Sequence, residues 1–141
     1  MNPYQMFKLN GAAESNGIDL DYGAYSIRIL RAGSGNKKYT KELQRRIKPH
    51  RYQIDNGLFD NDVAKKMTNE LYADTIIIGW SGVTDEAGNP LPFNRDNVVK
   101  LLTDLPELAN DIQAQAVLVS NFRAEEREAD AKNLNSSSAT N

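Results

Sequence analysis

The chain has no cysteine and a single histidine among its 141 residues. Without thiols it has no disulfides and little chance of structural zinc, which fits a cytoplasmic protein. One imidazole leaves only His50 for a Ser-His-Asp device. It stands beside Pro49 in a cationic stretch, where a surface residue is the plainer reading. Long apolar runs are missing as well. The strongest, Thr75, Ile76, Ile77, Ile78, Gly79 and Trp80, stops well short of a bilayer span. The start, MNPYQMFKLN, lacks the charged onset and apolar stretch of a secretory signal.

What is present is ordinary globular material. Hydrophobic residues make up 40% and charged residues 26%, enough for one modest core and too apolar for wholesale disorder. The formal net charge of -2 conceals a strong asymmetry. Residues 1–51 carry ten Lys and Arg against four Asp and Glu, whereas residues 52–141 carry seven against fifteen. A basic front and an acidic back can steer partners or let copies associate head to tail.

The first third reads as strand. Tyr25, Ile27 and Ile29 alternate with Ser26, Arg28 and Leu30, and Ile18, Leu20 and Tyr22 align in the preceding run. The two runs meet at Gly23, so a hairpin is expected, with residues 4–9 as a candidate third strand. From Lys37 to Lys48 the pattern turns helical, with Tyr39, Leu43 and Ile47 as its apolar stripe and Pro49 as its stop. A second helix starts after Asp60 and buries Val63, Met67 and Leu71. Its end is open: residues 75–78 favour strand by propensity, while helix as far as Trp80 satisfies burial equally well.

Residues 82–92 form a turn-rich connection. Asn94 then caps a helix carrying Val98, Leu101 and Leu102. Thr103 or Asp104 caps a last helix, with Pro106 in its first turn and Leu105, Leu108, Ile112, Val119 and Phe122 buried as it runs to about Lys132. The Ser- and Asn-rich residues 133–141 are expected to be disordered. The fold class is therefore α+β: an antiparallel hairpin or small sheet, then about four helices, in one domain over residues 1–132.

Motifs that carry chemistry are weak. Asp19, Asp21 and Gly23 resemble the start of a calcium loop, yet the twelfth position is Leu30 where a bidentate Glu is needed. The GSGNKK stretch at 33–38 lacks the spacing and the Gly-Lys-Ser/Thr ending of a phosphate cradle. No enzymatic activity, cofactor or metal is expected. The basic run is more substantial. Lys37, Lys41, Arg45 and Lys48 fall largely on one helical side and, with Lys38, make a candidate interaction surface for an acidic protein or, with Tyr39 and Tyr52 stacking, for nucleic acid. A pI of 5.4 argues against a dedicated nucleic-acid binder.

The sequence GWSGVTDEAGNPLPF at 79–93, followed by NRDN at 94–97 and LLTDLPEL at 101–108, resembles the signature of the tail assembly chaperones of long-tailed bacteriophages. The GNKKY stretch at 35–39, Leu43, Lys48 with Pro49, Phe122 with Arg123, and residues 131–133 are similar to the same family, so the likeness spans residues 25–133. It implies a small protein of the host cell cytoplasm, without catalytic residues. Such a protein coats and solubilises the tape measure protein, helps recruit major tail protein, self-associates and is absent from the finished virion. Within the signature, Trp80, Gly82, Asp85, Gly88, Pro90, Pro92 and Phe93 read first as backbone and packing residues of a turn. The alternative function is a small nucleic-acid-binding accessory protein using residues 37–51.

Overall fold

Alternation of Ile18 with Leu20, and of Ile27 with Ile29, produces the hairpin that organises one end of the molecule. In the computed structural model, which describes residues 2–4, 16–33, 35–118 and 122, β1 spans Ile18–Asp21 and β2 Ser26–Ile29. They pair antiparallel, Ile18 opposite Ile29 and Leu20 opposite Ile27, so the inward side chains share one face. The outer face is polar, with Arg28 holding Asp19 through two hydrogen bonds of 2.9 and 3.0 Å.

Among the described residues the third strand comes from farther along the chain. It is β3, Ile77–Ser81, which settles the open question of residues 75–80 and leaves β2 in the centre of the order β1-β2-β3. Ile27 faces Trp80 and Ile29 faces Ile77, with a bulge between Arg28 and Ile29. The strand expected at residues 4–9 falls, apart from Tyr4, outside the described residues.

Among the described residues, five helices and one 3-10 turn complete the α+β fold. Helix α1 is Lys37–Ile47, the turn Lys48–His50, α2 Arg51–Asp55, α3 Asn61–Thr75, α4 Arg95–Asp104 and α5 Pro106–Val117. Three N-caps are local and typical. Asn36, Asp60 and Asn94 each accept a hydrogen bond from the backbone N–H three residues on. Pro49 ends α1 but only tightens the chain, which continues through the 3-10 turn into α2.

The helices depart from their expected faces at several points. Leu71 is buried as expected, but Val63 is exposed and Met67 only half-buried, and α3 buries Asn69, Tyr72 and Thr75 beside Leu71. That stripe follows from packing against the sheet and α4 at the C-terminal half of the helix alone. Neither Thr103 nor Asp104 caps α5; Leu105 occupies that position, itself exposed and without a side-chain cap bond. Helix α5 stops at Val117 because Leu118 turns extended, at φ -70° and ψ 106°. Val119 and residues 123–141, including the expected tail, lie outside the described residues.

One apolar cluster joins these parts. Ile18, Ile27, Ile29 and Ile77 from the sheet meet Tyr72 and Ile76, Val98 and Leu102 of α4, Ile112 and Ala116 of α5, and Phe122. Full burial contributes about 1.5–3 kcal/mol for each large aliphatic side chain. Polar bonds fasten the edges: the Tyr22 hydroxyl donates to Asp111 at 2.6 Å, and the Ala32 N–H reaches the Ala116 carbonyl at 2.9 Å.

An ionic node ties three helices together. Asp74, 22% exposed, accepts from Arg46 of α1 at 2.7 Å and from Arg95 of α4 at 2.6 Å. Burial raises the carboxyl's proton affinity, but the hydrogen bonds from Arg95 and Arg46 outweigh it and hold Asp74 below its ordinary range. A carboxyl with a depressed folded-state pKa stabilises the fold above the unfolded value, about 4, and loses that contribution as pH falls. We therefore expect Asp74→Asn to cost about 1–3 kcal/mol at pH 7. The gap to wild type should narrow below about pH 4. Denaturation curves at both pH values test this, and a gap independent of pH would contradict it.

Candidate functional site

Three surfaces outside the core are candidates, and each grows from a local sequence feature. The first is the basic face of α1. Lys37, Lys38, Lys41, Arg45 and Lys48 are all exposed, while Tyr39 turns inward to meet Tyr72 edge-on with ring centroids 6.2 Å apart. The helix buries no residue fully, so Tyr39, Leu43 and Ile47 are a shallow stripe. Arg45 is not a free cation: it grips Glu42 at 2.7 Å, and with Arg46 draws that carboxyl below its usual range. Lys37, Lys38, Lys41 and Lys48 make no ion pair among the described residues.

The second surface follows directly. Helix α2 and the segment after it bury nothing, and the exposed side chains here are large and apolar: Tyr52 is 74% exposed, Leu58 68% and Val63 47%. Ile54 is exposed as well. His50 sits at the base of this arm, its ring 4.8 Å from Phe59 and its Nδ1 3.4 Å from Gln53 Oε1. The sequence reading missed the arm because no helical or strand period links Tyr52, Ile54 and Leu58. The available signal was that absence of period in an apolar stretch.

The third is a groove of about 620 Å³ where α3 and α5 diverge around α4. Val99, Leu102 and Ala109 supply apolar lining, and Lys65, Lys66 and Asn69 stand on the α3 side.

The signature residues gather in one folded loop between β3 and α4. The Trp80 Nε1–H donates to the Leu91 carbonyl at 3.0 Å, and its ring meets Phe93 edge-on at 5.2 Å. Asp85 closes the reversal: its Oδ1 accepts from the Asn89 N–H, and its carbonyl accepts from the Gly88 N–H. Gly88 takes φ +87°, which glycine adopts without strain. Thr84 and Pro90 form a bridge across the loop, and the Pro92 carbonyl accepts from Asn97 Nδ2 at 2.8 Å. Gly82 has the tightest requirement. Its φ is +75°, and a Cβ there would lie 2.7 Å from the Ala24 carbonyl oxygen.

The weak motifs have structural occupations. Asp19 is engaged by Arg28, and Asp21 accepts from the Gly23 N–H. Asn36 of the GSGNKK stretch caps α1 and donates to the Thr75 carbonyl at 3.1 Å. Among the described residues no group of three or more His, Asp and Glu is placed to hold a metal ion.

The sequence profile of the YdaY prophage protein family matches residues 34–133, and the chain belongs to that family. It is thus a phage-derived protein. The match begins after β2 and takes in the basic face, the apolar arm, the groove and the signature loop. No curated protein and no solved structure matches the chain.

Gly82→Ala should cost about 1–3 kcal/mol, because the left-handed backbone and the carbonyl of Ala24 both oppose a Cβ. Chemical denaturation measures it; a variant as stable as wild type would show that the loop backbone relaxes freely.

Proposed function

We propose that this prophage protein is a tail assembly chaperone. It binds the tape measure protein in the host cytoplasm, keeps it soluble and helps recruit major tail protein, without catalysing a reaction. The observation that carries this reading is the apolar arm. A small domain that leaves Tyr52, Ile54, Leu58 and Val63 exposed within residues 52–63 has surface to spare for another molecule. Membership of a prophage family and the signature at residues 79–108 support the same reading.

The physical task suits the arrangement. A long helical partner exposes apolar stripes that aggregate in water. Many copies of a small domain, each binding weakly, would cover them with the avidity of neighbouring contacts. Self-association of copies along the partner belongs to this reading too. The lysines of α1, without an ion pair among the described residues, lie next to the arm in sequence and would favour acidic stretches of the covered protein.

Co-expression with the tape measure protein encoded in the same prophage tests the proposal. Wild type should raise the soluble fraction and co-purify with it, and the pair Tyr52→Ser with Leu58→Ser should weaken retention at least tenfold. A tape measure protein no more soluble, with no complex, would sink the idea.

The basic face favours a second reading as a nucleic-acid accessory. It expects retention on DNA that falls steeply with salt, and loss of retention in Lys38→Glu with Lys41→Glu. No retention at low salt eliminates it.

A further inference from the structure

We propose that the groove between α3 and α5 seats one helix of the tape measure protein, and that Asn69 pairs there with a carboxamide side chain, Gln or Asn, on that helix. The proposal rests on the tail-chaperone reading and names a surface that the apolar arm does not include.

Asn69 is the anomaly that points to a ligand. It is only 8% exposed and lies on the buried stripe of α3, four residues before the partly buried Ala73 and three before buried Tyr72. Its carboxamide makes no hydrogen bond with any described residue, although it carries two donors and an acceptor. Buried polar groups are nearly always bonded, because an unmet one loses its hydration for no return. Asn69 is also among the residues lining the groove, so its unmet group belongs to the wall of a space that a second molecule can enter.

The groove's shape selects the occupant. Its α3 side runs from Asn61 to Asn69 and its α5 side from Pro106 to Gln113, about 10–12 Å of helix each, or two turns. A volume of about 620 Å³ takes the apolar side chains of such a two-turn segment, with Val99, Leu102 and Ala109 beneath them. In a helical occupant the backbone amides are already bonded to one another. Asn69 must then be met by a side chain, and a carboxamide matches it best, because its N–H and C=O lie in one plane and pair with the Asn69 oxygen and N–H together; a hydroxyl offers one O–H at a single atom, a carboxylate leaves the Asn69 oxygen unmet and an ammonium leaves its N–H groups unmet.

Charge points the same way. Lys65 and Lys66 stand on the lining with no ion pair among the described residues, offset in part by Asp62. An occupant with an acidic residue flanking its apolar stripe fits this edge.

The test is co-purification of the tape measure protein with wild type, Asn69→Leu and Thr103→Trp, together with the melting temperature of each chaperone alone. Thr103 is exposed on the groove and its replacement fills the space from the solvent side. Both variants should retain at least tenfold less tape measure protein, while Asn69→Leu melts at or above the wild-type temperature. Full retention by both variants overturns the groove and leaves the chaperone reading standing. A drop in melting of more than about 4 °C for Asn69→Leu would assign Asn69 to the fold and overturn the proposal. Absence of any wild-type complex defeats the chaperone reading and the groove with it.

Discussion

The outer edge of β2 presents backbone N–H and C=O groups that the β1 hairpin cannot reach. A two-stranded ribbon is marginal in water, and its open edge would pair with whatever strand arrived. Here the chain itself supplies that strand after α3. Once Ile29 lies against Ile77 and Ile27 against Trp80, the end of α3 is fixed, and the loop to α4 must start beside Ala24. The constraint at Gly82, the packing of Phe93 on Trp80 and the entry of α4 all follow from this pairing. The Asp74 node then locks α1 and α4 to the helix that delivered the strand.

The core built this way is narrow. It consumes one face of the sheet, the last turns of α3 and the inner faces of α4 and α5, and leaves α1 and α2 with no fully buried residue. Helix α1 is therefore held mainly by directional bonds: Asn36 to the Thr75 carbonyl, Arg46 to Asp74, and the edge contact of Tyr39 with Tyr72. Helix α2 has less still. A chain of this length could in principle have folded its arm inward; keeping Tyr52 and Leu58 in water has a cost that binding would offset.

On the chaperone reading proposed above, a protein that covers another chain gains from this division. The sheet and the signature loop form the fixed half, bonded in every direction. The arm, the lysines of α1 and the groove form the half with unmet chemistry among the described residues: apolar area, cations without anions, and a buried carboxamide without a partner. On the same chaperone reading, these features suit recognition of an amphipathic, partly acidic helix.

The sequence alone determined the local features. Period-two alternation located β1 and β2, the helical spacing from Lys37 and from Asp60 and the cap Asn94 located three helix starts, and the cationic spacing located the face of α1, because each depends on residues within a turn or a strand's width. Residues 75–80 were undecidable locally, since three consecutive isoleucines suit a buried helix as well as a strand; the free edge of β2, remote in sequence, made the choice. The same holds for Val63, which stayed in water, and for Asn69, a polar residue in an apolar position. Which side chains are buried is set by how many neighbours the fold brings to each helix face, and that number exists only after the chain has closed on itself.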